Sequence, residues 1–398
     1  MTEINFLLFL LLVLAVGVGW LLARLTSLRP QAGKRSLTRI YHDYFVGLNY
    51  LLRDEPDEAI DTFIRALEVN GDTAETHLAL GTLLRRRGKV DKAIHVHQTL
   101  LARPSLDAHF ADAVKLELAT DYIAAGLLDR AERLLKEMLE IDSNAKLEAL
   151  RQLMTIYQTE KEWHQAIGCV EKLLQSSPFK KDAVLHGTAA HYCCELADQA
   201  MEHGQLDEVR EYVKKAFQFD RHSVRAAFLA AAVEQSSGDY QKAIKELALI
   251  RQQQPEFISE LIKPMAECYA KLGEIDEFGK FLQACLDEEP RVSVILELAK
   301  LVRQQQGETA AVEFLSSKMT RYPSLKGMTA LLELQANECS GALRENLLLL
   351  KSITERWLAR KPGYRCNQCG FETRSLYWQC PSCQRWDTVK PILGIEGE

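Results

Sequence analysis

Five times between residues 88 and 278 the chain repeats one short pattern, a glycine followed closely by an acid and then by a small or apolar residue that opens an apolar stripe. It reads Gly88 to Asp91 with Ala93, Gly126 to Asp129 with Ala131, Gly204 to Asp207 with Val209, Gly238-Asp239 with Ala243, and Gly273 to Asp276 with Phe278. The spacing between neighbouring copies is 34 to 38 residues, the length of one helical hairpin in a stacked array, except from Gly126 to Gly204, where it is about twice that. Pro178, Pro255, Pro290 and Pro323 run in step with it. Glycine allows the sharp turn between two antiparallel helices, the acid sits favourably at the start of the second helix, and proline stops that helix. Small residues such as Ala59, Ala93, Ala131, Ala166 and Ala243 let adjacent helices approach, so each unit buries its stripe against the next.

Gly47, Tyr50, Ala59, Phe63 and Ala66 in a first unit, and Gly81, Leu84 and Ala93 in a second, stand at the offsets of a tetratricopeptide repeat, which the chain resembles. The expected fold is all-α, a repeat superhelix over residues 41–340 in some eight or nine units. The register is hardest to follow around residues 253–263 and after 326. Such arrays offer an extended concave face for a peptide or a protein surface and are poor places for chemistry. His95, His97, Cys193 and Cys194 are therefore read as packing or surface residues.

The most specific motif lies near the end: Cys366-Asn-Gln-Cys369-Gly370, then ten residues counted from Gly370 to Gln379, then Cys380-Pro-Ser-Cys383. Each pair can turn two thiolates toward one ion, and the two pairs together supply four sulfurs. The remaining six cysteines (Cys169, Cys193, Cys194, Cys268, Cys285 and Cys339) are scattered through helical segments, which speaks for a reducing compartment and for metal over disulfides. Cys366, Cys369, Cys380 and Cys383 are the expected ligands of one metal ion. The segment resembles a rubredoxin-type ribbon in its C-x-x-C-G and C-P-x-C turns. Iron competes with zinc for such a sulfur set, and the short interval between the pairs favours structural zinc.

Around the cysteines stand Tyr364, Phe371, Tyr377, Trp378 and Trp386 with Arg365, Arg374, Arg385 and Lys390. A basic aromatic ribbon suits a protein surface or RNA, and aromatic and arginine enrichment at protein interfaces favours the former. A net charge of -6 gives the chain no general attraction to nucleic acid. Upstream, residues 341–361 read as a connecting helix with Leu347, Leu350, Ile353, Trp357 and Leu358 on one face, ended by Pro362 and Gly363. The short linker predicts that a module over 362–398 packs on the last repeats.

Residues 4–23 carry Asn5 as their single polar side chain, enough to cross about 30 Å of hydrocarbon as a helix. Glu3 and the absence of a small-residue cleavage site mark residues 1–23 as an uncleaved anchor. Arg24, Arg29, Lys34, Arg35 and Arg39 in the juxtamembrane linker 24–40 place the rest of the chain in the cytoplasm. No phosphate loop, dinucleotide fingerprint, nucleophile elbow or metalloprotease helix is present, so no enzyme is expected.

An N-terminal span, a basic run, tetratricopeptide units and a four-cysteine ribbon, in that order, resemble the lipopolysaccharide assembly protein B family over essentially the full length. That resemblance implies a non-enzymatic adaptor at the inner membrane that regulates lipopolysaccharide biosynthesis. It would bring the deacetylase of the committed lipid A step to a membrane-bound AAA+ protease for degradation, with lipopolysaccharide transport components as further partners. A second copy of the chain is another candidate partner. The competing readings are a rubredoxin-like electron carrier and an RNA-binding scaffold.

Overall fold

The computed structural model describes residues 74–103, 106–140 and 145–398, with a few helical positions before residue 63. Most of the expected span 4–23, of the basic run 24–40 and of the first repeat unit lies outside the described residues. Among the described ones, no helix is long and apolar enough to cross a membrane. The chain divides into two compact units, Met1–Ile156 and Tyr157–Glu398.

The described chain is mostly helical. In the first unit α1 (Ala74–Arg86) packs on α2 (Val90–Leu101), α2 on α3 (Ala108–Ala124) and α3 on α4 (Leu128–Glu140), with α1 also against α3. α1 thus meets both its own partner and the first helix of the next pair, as stacked hairpins require. The stripe residues Leu84, Ala93, Val96, Leu100, Ala131 and Leu135 are fully buried. His97 is buried as well: its Nδ1 lies 2.5 Å from Asp121 Oδ2 and its Nε2 3.2 Å from the Leu78 carbonyl. Arg85 donates to Asp121 at 2.8 Å and to Glu117 at 2.6 Å, closing a satisfied polar network. Gly81 lies under this imidazole, where a Cβ would come within 2.2 Å of the ring.

α5 (Lys146–Glu160) is followed in the second unit by α6 (Trp163–Gln175), α7 (Ala183–Glu202), α8 (Leu206–Phe219), α9 (Val224–Ser236), α10 (Tyr240–Gln253), α11 (Ile258–Leu272), α12 (Ile275–Glu288), α13 (Val292–Gln306), α14 (Glu308–Arg321), α15 (Leu325–Glu338) and α16 (Ala342–Leu358). From α6 to α16 successive helices pack in order. The turn glycines all adopt positive φ: Gly88, Gly126, Gly204, Gly238 and Gly273, joined by Gly307 and Gly341 at further steps of 34. After most of them the next amide reaches back across the turn, as Gln205 N to Ala200 O at 2.9 Å and Asp239 N to Glu234 O at 2.8 Å. Lys161 (φ 59°) fills this position between α5 and α6 with the same bond, Glu162 N to Tyr157 O at 2.8 Å, and so escapes a search for glycine. The difficult register near 253–263 has its cause too: a 3-10 turn, Pro255–Phe257, precedes α11, and Pro264 lies inside α11.

The helix foreseen as a connector is the second member of a last pair, packed on α15. Its apolar face is not enclosed: Leu350, Ile353 and Trp357 are exposed, and no α16 residue is fully buried.

The chain ends in a small antiparallel sheet, β1 (Tyr364–Cys366), β2 (Glu372–Thr373) and β3 (Val389–Pro391), in the order β2-β1-β3 with Arg365 opposite Glu372 and Cys366 opposite Val389. Its own core is Cys366, Cys380 and Val389 with Tyr364, Phe371 and Leu376 around them.

Candidate metal centre and its seat on the helices

β1 ends at Cys366, and the chain doubles back through Gly370 (φ 77°), whose amide donates to the Cys366 carbonyl at 2.9 Å. The second pair forms a matching turn, with Gln384 N on Cys380 O at 2.8 Å. Amides of Gln368 and Cys369 are aimed at the Cys366 sulfur, and those of Ser382 and Cys383 at the Cys380 sulfur. Donors placed this way stabilise thiolates. Burial still holds the Cys380 thiol up at about 11.

The four Sγ atoms lie within 4.8 Å of one another, Cys366 to Cys383 at 3.8 Å and Cys369 to Cys380 at 3.7 Å. A tetrahedron with metal–sulfur bonds of about 2.3 Å has edges of about 3.8 Å, so the donor set fits one four-coordinate ion. All ten cysteines are free thiols. This four-cysteine metal-binding site is closed, with no position left for a reacting water, which is the pattern of a site that holds structure. Cys193 and Cys285, by contrast, are buried among helices with their thiols pushed up to about 12 and about 11 by burial. They are neither nucleophiles nor ligands.

The short linker predicted a seat on the last repeats, and the C-terminal turn of the module does reach α13 and α15 there, with Leu325 N donating to the Ile395 carbonyl at 2.9 Å, while both ribbon tryptophans are seated on the middle helices of the second unit. Trp386 stacks on His191 of α7 at 4.9 Å between ring centroids, meets Tyr192 and Trp163 edge-on, and donates its indole N–H to Gln158 Oε1 at 2.9 Å. Tyr192 donates to the same oxygen at 2.8 Å. Trp378 stacks on Phe257 at 5.7 Å and touches Phe228. The polar rim is paired as well: Tyr364 donates to Glu260 at 2.6 Å, and Lys390 bridges Glu256 at 2.8 Å and Asp387 at 3.1 Å. Two indole faces that an RNA base would need for stacking are thereby engaged within the chain.

His191 is 6% exposed, and its Nδ1 has no hydrogen-bond partner. Burial, with Arg225 and Lys390 nearby, lowers its pKa to about 3 and keeps it neutral. Arg225 is buried between Glu195 and Asp198 at 2.8 and 2.5 Å, with its guanidinium 5.9 Å from the Trp386 ring. Sequence reasoning marked the tryptophans but not His191, Gln158, Arg225 or Phe257. Nothing in a 34-residue period distinguishes a residue facing the ribbon from one facing solvent.

These parts have counterparts in known proteins. Residues 364–391 match the rubredoxin metal binding domain, and residues 76–108 match the tetratricopeptide repeat. Lipopolysaccharide assembly protein B of Escherichia coli (strain K12) is 36% identical over 392 residues, which cover 98% of this chain and 99% of the relative. The protein of that name from Haemophilus influenzae is 33% identical over 399 residues, with 98% and 99% coverage. With the similarity running from the repeats through the ribbon at nearly full length, the chain belongs to the lipopolysaccharide assembly protein B family.

Proposed function

We propose that this protein is a non-enzymatic scaffold in lipopolysaccharide assembly, anchored in the inner membrane by residues 4–23 with the repeats and ribbon in the cytoplasm. It brings the deacetylase of the committed lipid A step to a membrane-bound AAA+ protease. Cys366, Cys369, Cys380 and Cys383 hold one structural zinc ion. The observation that carries this reading is the closed four-sulfur ribbon fastened by both of its tryptophans to the helix array, in a chain that matches its relatives end to end. A ribbon fixed in this manner is part of the scaffold surface and not a mobile electron carrier. Tethering in the plane of the membrane would raise the effective concentration of substrate at the protease without any additional contact.

The test is metal analysis of the purified protein together with deacetylase levels in cells. Stoichiometric zinc, and deacetylase that accumulates when all four cysteines are changed to serine or when residues 1–23 are removed from a chain that still folds, is the expected result. One iron per chain with visible thiolate absorption would replace the scaffold with electron transfer. Unchanged deacetylase turnover in a soluble, folded form would remove the membrane tether from the proposal.

A further inference from the structure

The last seven residues of the sequence, Ile392 to Glu398, double back on themselves and end in a cleft between two helix N-termini. Gly394 N donates to Glu398 O at 2.8 Å, and Glu398 N to Ile392 O at 2.8 Å. This compact turn directs the Glu398 side chain at the first turns of α13 and α15. Its Oε2 accepts the Ser293 amide at 3.3 Å, and its Oε1 accepts Lys326 Nζ at 2.7 Å. The Ile395 carbonyl takes the first amide of α15, Leu325 N, at 2.9 Å.

A carboxylate at a helix N-terminus is well placed, yet this cleft has more donors than the carboxylate uses. Arg291, 8% exposed, stands immediately before α13; its Nη2 is paired with Glu289, but its Nε is buried with no partner. Ser324, 4% exposed, precedes α15 in the N-cap position without capping the helix, and its hydroxyl is likewise buried and unpartnered. The Ser293 hydroxyl is in the same condition. Arg291, Ser324 and Glu398 line one cavity of about 340 Å³ with Tyr322 and Ile395. Buried donors are normally satisfied, and two residues of one cavity that each carry an unsatisfied buried donor, Arg291 and Ser324, with the unpartnered Ser293 hydroxyl on the residue whose amide meets Glu398, call for an anion with more oxygens than a carboxylate. Leu393 and Ile395 are more than half exposed, so few apolar contacts hold the turn in place.

We propose that the cleft between the N-termini of α13 and α15 is a binding site for a phosphate group, which the chain's own Glu398 carboxylate occupies as an internal competitor. Phosphate entering the cleft takes the Ser293 amide and Lys326 from Glu398, adds the Arg291, Ser293 and Ser324 side chains, and releases the turn over 392–398. The phosphate is carried either by a small soluble molecule or by a lipid headgroup.

The test uses the full-length, metal-loaded protein with inorganic phosphate as probe, followed by calorimetry and by hydrogen exchange over residues 392–398. Removing the competitor in Glu398→Gln is expected to tighten phosphate binding at least tenfold. Gly397→Ala acts in the same direction, because a Cβ there would meet the Ile392 carbonyl oxygen at 1.9 Å and expel the turn. Lys326→Gln, at a partly exposed position, is expected to weaken binding at least tenfold, as is Arg291→Gln if it folds. In the native chain phosphate is expected to speed exchange of the turn. Binding to vesicles containing phosphatidic acid, but not to phosphatidylcholine vesicles, assigns a lipid source; binding of free phosphate alone assigns a soluble one. Equal phosphate affinity in the native chain and Glu398→Gln, or no binding to a folded Glu398→Gln protein, overturns the proposal and leaves Glu398 as a clasp between the ribbon and the helices.

Discussion

Two buried histidines on helices of the repeat array sit in different surroundings. His97 is held by Asp121 and the Leu78 carbonyl over Gly81, and a methyl group at Gly81 would enter a ring that cannot turn aside. Gly81→Ala should therefore cost about 2 kcal/mol through overpacking, visible as a lowered thermal midpoint. An unchanged midpoint would mean that the imidazole moves freely. His191 is neutral, with its pKa lowered to about 3 against an ordinary value of 6.5. Below 6.5 the unfolded chain takes up a proton that the folded chain refuses, so stability falls as pH drops toward 3. Between pH 7 and 5 the loss should be about 2 kcal/mol from this group. His191→Phe keeps a ring against Trp386 and should flatten that part of the pH dependence in denaturant titrations. A slope that survives the substitution would assign it to other groups. His97 reads as a packing or surface residue by type and His191 carries no mark in the sequence, and their separate roles come from contacts 19 to 24 residues away in one case and almost two hundred in the other.

At the scale of elements, the hairpin turns were the legible part. A left-handed residue after each first helix demands glycine, so the period appears in the sequence wherever glycine meets the demand. It vanished at Lys161, where a lysine adopts φ 59°. A non-glycine residue in that region carries about 1 kcal/mol of strain, partly offset by its smaller backbone entropy when unfolded. Lys161→Gly should therefore stabilise the protein by about 0.5 kcal/mol in urea unfolding. Gly204→Ala, where a Cβ would meet nothing within 4 Å and only φ matters, should destabilise it by about 1 kcal/mol. If both changes are neutral, these turns are looser than their bonds indicate. The apolar face of the 341–361 helix was legible as a pattern, but its burial was not: periodicity records which side is apolar and not whether anything covers it. The same is true of the ribbon's tryptophans, Trp378 between the cysteine pairs and Trp386 after them, which stood out by type while their partners on α7 and α9 did not.

For the molecule as a whole, the metal and the helix array are linked through one seat. Strands of three, two and three residues with a core of Cys366, Cys380 and Val389 cannot hold a fold by apolar burial alone, so the ribbon's stability comes chiefly from its metal. The four cysteines were legible because their spacing is local. Their seat on residues 158–260 was not, because it depends on complementarity between segments more than a hundred residues apart. Removing the ion with a strong chelator should unfold the ribbon and withdraw Trp378 and Trp386 from Phe257 and His191. Tryptophan emission should then shift to the red while helical circular dichroism changes little, since the buried stripes of the repeats contain no metal ligand. Trp386→Ala separates the two contributions. It removes the stacked ring and the bond to Gln158 at a cost of about 3 kcal/mol, yet touches no sulfur, so the metal should stay bound while the ribbon becomes accessible to protease at residues 359–363. If chelation instead leaves tryptophan emission unchanged, the seat holds the ribbon without the ion, and the metal would serve something other than keeping the two parts together.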